Sequence, residues 1–174
     1  TYGMVSLLDK HIGRVVAELD RLGLQENTVV IFTTDHGEHL GDHGFVYKTV
    51  IYDELLHLPL IWCCPKRFGT PRRETGIVSH IDLMPTILEI MGLMTPEAAQ
   101  GQSLTPLFAA PEGRDATSGD WIARPVVAEE HIMGEDDEHE SYALLLDGWR
   151  LIRNVKTPKD DPSAEFELYR HDDD

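Results

Sequence analysis

At 174 residues the chain can bury a sizeable core and suits one domain, or one domain with a small appendage. A formal net charge of -16 argues against nucleic acid or an anionic membrane as partner, because phosphate binding calls for clustered Lys and Arg. No apolar run reaches the roughly 18 residues of a bilayer span, and the adjacent Cys63 and Cys64 make no disulfide framework.

In chain order, Met4 to Gly23 predicts an amphipathic helix. Val5, Leu8, Ile12, Val15, Val16, Leu19 and Leu22 recur at steps of three and four, and Gly23 suits a C-cap. Asp9 and His11 read as exposed positions of that helix. Gln25-Glu26-Asn27 turns the chain into Thr28-Val29-Val30-Ile31-Phe32, a β-branched, uncharged run that predicts a buried strand. Thr49 to Leu55 predicts a helical turn, and Leu58 to Cys63 a second buried strand. This alternation predicts a largely parallel sheet flanked by helices.

Pro65 to Glu74 is a basic loop carrying Lys66, Arg67, Arg72 and Arg73. A short strand is expected at Ile77-Val78, then a helix from Ile81 to Met91 with Pro85 near its first turn. Thr95 to Gly119 is rich in Pro, Gly and Ala and predicts an irregular surface connection. Beyond Trp121, the apolar runs Val126-Val127-Ala128, Tyr142 to Leu146 and Trp149 to Ile152 predict short strands. Asp147-Gly148, between the last two, is the strongest short-range hairpin signal. The expectation is an α/β domain over residues 1–120 and a small antiparallel β subdomain over 121–174. Glu135-Asp136-Asp137-Glu138 and Asp172-Asp173-Asp174 read as solvated acidic runs.

The chemistry gathers in the stretch after the first strand. Asp35, Glu38 and Asp42 supply carboxylates and His36, His39 and His43 imidazoles, with Gly37, Gly41 and Gly44 between them and Lys48 just beyond. Ligands in open α/β sheets bind outside the carboxyl ends of strands, and this cluster sits at such an end. Carboxylate oxygens and neutral imidazole nitrogens are what a divalent metal takes. A merely solvated polar loop is the alternative on spacing alone.

Several ordered stretches resemble one family. Asp35-His36-Gly37-Glu38, Leu40-Gly41-Asp42-His43-Gly44, Lys48 and Leu58-Pro59-Leu60-Ile61 are similar to the second half of the sulfatase family, within the alkaline phosphatase superfamily. Phosphonate monoester hydrolases and phosphodiesterases are among its relatives. Tyr2 to Gly23 resembles the helix before the strand. Asp82-Leu83-Met84-Pro85-Thr86-Ile87-Leu88 with Gly92 resembles a later helix, Gly101-Gln102-Ser103-Leu104 the segment after it, and Glu167-Leu168-Tyr169 a C-terminal motif.

The resemblance implies the C-terminal part of an alkaline phosphatase-like α/β catalytic domain followed by the small β subdomain. It implies a metal-dependent hydrolase of sulfate esters, or of phosphonate or phosphate esters. Asp35 and His36 are the implied metal ligands, for Ca²⁺, Mn²⁺ or Zn²⁺; a His in the second position suits a transition metal somewhat better than Ca²⁺. Lys48, thirteen positions after Asp35, matches the lysine that contacts the sulfate or phosphate oxygens. His43 is assigned either a leaving-group contact or a packed or solvated position. Glu38, His39 and Asp42 are read as supporting or surface residues, His80 as a cap-region histidine, and Asp82 as a helix cap. Pro85-Thr86 is read as serving packing.

Cys63-Cys64-Pro65-Lys66-Arg67 formally fits the Cys-x-Pro-x-Arg core whose cysteine becomes formylglycine in the family. It is read as a decoy, because the family motif lies upstream of the Asp-His pair and continues into a Leu-Thr-Gly segment lacking here. The formylglycine, the first Asp pair and the upstream Lys and His have no counterpart in these residues, and are expected in a missing N-terminal part of the same protein. Partners on this reading are that part and a small sulfate or phosphonate ester, with no nucleic acid or membrane. A homo-oligomer stays open, as does a compartment between cytoplasm and periplasm. Two other classes stand beside the enzyme. One is a non-catalytic domain holding metal or anion through Asp35, His36 and Lys48. The other is a closed structural metal site of His36, His39, Asp42 and His43, against which Gly41 and Gly44 argue by disfavouring a helix there.

Overall fold

Helical periodicity in the first twenty-odd residues does produce a helix, α1 (Tyr2–Arg21). The computed structural model of the chain describes residues 1–48, 50–69, 71–109, 122–133, 138–155 and 165–170. The chain folds as two units, Thr1–Thr34 with Pro59–Arg73 and Asp35–Leu58 with Glu74–Asp174. The boundary expected at residues 120 and 121 falls outside the described residues, as do the acidic residues 135–137 and 172–174.

In the first unit α1 ends in a Schellman cap. Gly23 takes φ +67°, and the N–H groups of Gly23 and Leu24 donate to Asp20 O and Leu19 O. Its apolar side chains Val5, Leu8, Val15 and Leu22 are exposed. Strands β1 (Val30–Phe32) and β2 (Ile61–Cys63) pair antiparallel, with Ile31 opposite Trp62, and the one-turn helix α3 (Pro65–Phe68) follows. The expected parallel arrangement does not appear in this pair. Among the described residues between Phe32 and Ile61 there is only one turn of α-helix, short of the crossover helix that usually joins a parallel pair. Nor are the two strands buried: Ile61 is exposed, since a two-stranded ribbon cannot cover both faces.

The second unit is built on a four-stranded antiparallel meander: β3 (Val126–Met133), β4 (Glu138–Leu146), β5 (Trp149–Asn154) and β6 (Phe166–Arg170), in that order. The β4–β5 hairpin turns at Asp147-Gly148, both with positive φ (+49° and +77°), as a two-residue turn of this type requires. The core lies where Ile51 and the one-turn helix α2 (Asp53–Leu56) meet this sheet: Ile51, Ala143 and Ile152 are buried, with Tyr52, Leu56 and Tyr169 packed against them.

Helix α4 (Leu83–Ile90) begins beyond a 3₁₀ turn at His80–Asp82, with Pro85 and Thr86 buried. Asp82 is 1% exposed, and its side chain does not make the expected cap bond to α4. It closes a capping box on the preceding turn by accepting from Ser79 N, accepts from Gln102 N, both at 2.9 Å, and pairs with Arg124. Thr86 Oγ1 donates to Asp82 O and accepts from Leu104 N, so the 101–104 segment is stitched to α4. Helix α5 (Thr105–Ala109) interrupts the expected irregular connection, and Ile77-Val78 forms no strand, having no ladder partner among the described residues. Among the described residues no helix is long and apolar enough to cross a membrane.

Candidate functional site

The loop from Asp35 to Lys48 contains unusual backbone at several positions. Leu40, His43 and Tyr47 take positive φ of +55°, +54° and +65°, beside Gly41 at +110° and Gly44 at +79°. Non-glycine residues adopt this region only where their surroundings over-determine it.

At the start of the loop, Asp35 Oδ1 accepts the His36 backbone N–H at 2.9 Å. His36 Nδ1 lies 2.8 Å from Gly37 O. A carbonyl only accepts, so Nδ1 carries the hydrogen and Nε2 keeps the lone pair of the neutral ring. Lys48 Nζ donates to that Nε2 at 2.9 Å, and Asp35 Oδ2 stands 3.5 Å from it. Three of the four residues singled out from the sequence therefore converge on one nitrogen. The Asp35 side chain is 82% exposed and the His36 ring 39%, so both present their atoms outward.

These atoms suit a divalent cation. Ligand atoms bound to one ion at about 2.0–2.2 Å stand about 3–3.5 Å apart, and Asp35 Oδ2 to His36 Nε2 is 3.5 Å. The bond from Nδ1 to a backbone carbonyl is the partner that commonly fixes the tautomer of a metal-binding histidine. Two ligands are an incomplete set: among the described residues no three His, Cys, Asp or Glu side chains are grouped to hold a metal ion.

His43 has its contacts elsewhere. Its Nε2 lies 3.1 Å from Glu54 Oε1, and its ring packs edge-on against Tyr52 with centroids 5.1 Å apart. His39 is wholly buried; its Nε2 donates to Val50 O at 3.0 Å, and its Nδ1 faces Glu54 Oε2 at 3.9 Å. Glu38 and Asp42 are exposed, as is His80. Cys63 is exposed at the end of β2, and Cys64 is buried with its Sγ donating to Glu26 O at 3.8 Å. Sequence reasoning missed Glu54, which accepts from His43 Nε2 and lies 3.9 Å from the buried His39. The helical turn expected over Thr49 to Leu55 was the only signal that placed it near them.

The family model named Sulfatase matches residues 1–93. Arylsulfatase K of Xenopus laevis is 32% identical over 151 residues, 87% of this chain and 28% of the relative. The multifunctional alkaline phosphatase superfamily protein PehA of Trinickia caryophylli is 42% identical over 123 residues, 68% of this chain and 22% of its own. Among solved structures, BT4656 in complex with its substrate D-glucosamine-2-N,6-O-disulfate superposes with a TM-score of 0.80 at 29% identity, over 97% of this chain and 33% of that one. The chain thus spans about a quarter of the length of the curated relatives it matches.

Proposed function

This chain belongs to the sulfatase family, and from that premise we propose that it is the C-terminal part of a metal-dependent sulfuric ester hydrolase and carries half of its metal and anion site. The supporting observation is the convergence of Asp35 Oδ2 and Lys48 Nζ on His36 Nε2, at 3.5 and 2.9 Å. Asp35 and His36 would hold a divalent cation, with Lys48 Nζ giving up its contact to the His36 Nε2 lone pair, and the cation would supply Lewis-acid polarisation of an ester oxygen. The Gly37 carbonyl keeps the His36 lone pair directed outward. Lys48, a compact charge with three donors, binds the oxygens of the tetrahedral anion and offsets charge that develops there. His43 serves the leaving-group side, with its Nε2 held by Glu54 and its ring half exposed. The nucleophile, a formylglycine on the family pattern, and the remaining ligands come from a part of the protein outside this chain. The fuller α/β sheet of the catalytic domain belongs to that part as well.

A sulfate ester is the favoured substrate, because the arylsulfatase K relative and the BT4656 complex both point to sulfates. The PehA relative supports the wider superfamily chemistry and makes a phosphonate or phosphodiester the second reading. The test is hydrolysis of 4-nitrophenyl sulfate and of a 4-nitrophenyl phosphonate monoester by the protein at its native length. We expect turnover of the sulfate, and a loss of about a hundred- to a thousandfold in kcat/KM for Lys48→Ala. Faster turnover of the phosphonate moves the assignment to the second reading. No turnover of either ester overturns the enzyme and leaves a metal- or anion-binding domain.

A further inference from the structure

We propose that the one-turn helix α2 is a clasp through which the C-terminal sheet positions the candidate-site loop, with Glu54 as its positioning residue. The inference rests on the reading of Asp35, His36 and Lys48 as half of an ester-hydrolase site. Three consecutive residues face three different partners. Tyr52 donates its hydroxyl to Glu167 Oε2 on β6 at 3.0 Å, and Asn154 Nδ2 on β5 fixes the other oxygen of Glu167 at 2.7 Å. Asp53 pairs with Arg150 of β5, whose side chain is 2% exposed. Glu54 Oε1 accepts from His43 Nε2 at 3.1 Å, and its other oxygen lies 3.9 Å from the buried His39 ring without a hydrogen bond to it.

The backbone makes a fourth tie. Gly37 N donates to Leu55 O at 3.1 Å, so the residue directly after His36 is fastened to α2. The loop between these ties is the one with positive φ at Leu40, His43 and Tyr47. Such backbone holds its shape only against a rigid neighbour, and α2, fixed to β5 and β6, is that neighbour. Glu54 takes no part in the proposed chemistry. Its carboxylate holds His43 on one side of the Leu40–Asp42 turn, the Leu55 carbonyl holds Gly37 on the other, and together they set where the span from His36 to Lys48 lies.

The test is a double-mutant cycle of Glu54→Gln with His43→Ala in the protein at its native length, together with Glu54→Asp and Glu167→Gln. Glu54→Gln keeps the shape and removes the charge. It is expected to lower kcat about tenfold, within the range for loss of an outer partner, with KM little changed and partial recovery in Glu54→Asp. Glu167→Gln should lower kcat in the same direction at a distance. In the cycle, adding Glu54→Gln to His43→Ala should cost little more, since coupled groups are not additive. Full additivity, or a wild-type kcat in Glu54→Gln, overturns the clasp.

A readout without turnover separates this inference from the functional reading. In the long-range ¹H–¹⁵N spectrum of the histidine rings, His43 should carry its hydrogen on Nε2 in the wild type and lose that preference in Glu54→Gln. An inactive protein that shows this change refutes the hydrolase and keeps the clasp. A His43 spectrum unmoved by Glu54→Gln refutes the clasp whatever the activity.

Discussion

Gly37 illustrates how narrowly single residues are set in this loop. A Cβ built there would stand 1.7 Å from Glu54 O and 2.8 Å from its carbonyl carbon, both backbone atoms that cannot swing aside. Gly37→Ala should therefore cost about 3 kcal/mol or more through forced backbone movement. Gly13, in the middle of α1 with nothing within 4 Å of the same position, is the control. Gly13→Ala should stabilise by about 0.5–1 kcal/mol, because alanine loses less backbone freedom in a helix. Urea unfolding of both variants checks the pair; equal midpoints would contradict the close approach at Gly37. The family resemblance singled out Asp35, His36 and Lys48 in the sequence, and the fold brings the three together at His36 Nε2. The partners of His39 and His43 were not legible there. Glu54 lies eleven positions from His43, and no local pattern says which carboxylate a loop histidine will meet across a fold.

Among the elements, α2 and β6 are joined by phenols. Tyr52 and Tyr169 both donate to Glu167 Oε2. Burial, above all, raises both hydroxyls above their ordinary value of 10.0, with the Glu167 carboxylate adding to the effect. The folded chain then keeps protons that the unfolded chain releases. The stability these groups contribute is whole below pH 10 and is lost as pH rises from there toward the raised values. Thermal unfolding should show a midpoint that falls above pH 10, and a shallower fall in the Tyr52→Phe, Tyr169→Phe double variant. An identical alkaline slope in both proteins would contradict the account. The hairpin at Asp147-Gly148, the cap at Gly23 and α4 with its buried Pro85 and Thr86 were all legible, because each is written in a few neighbouring residues. The antiparallel pairing of β1 with β2 was not, since alternation of element types carries no strand direction. The place of β6 beside β5 depends on partners outside the Glu167-Leu168-Tyr169 stretch, which read only as a motif.

At the scale of the whole molecule, a net charge of -16 frames the site, and an anionic ester approaching it needs local compensation. Lys48 supplies one positive charge there, and on the proposed reading a bound cation would supply the second. The family was legible because its motifs run in order along almost the whole chain. The completeness of the site was not, since the chain spans 28% of the arylsulfatase K relative. The most direct measurement is the divalent metal content of the native-length protein, wild type and Asp35→Ala, after dialysis without chelator. About one equivalent more metal is expected in the wild type than in the variant, with turnover of the sulfate ester lost in the variant in parallel. Equal metal and equal turnover in the two proteins would contradict the proposed metal site.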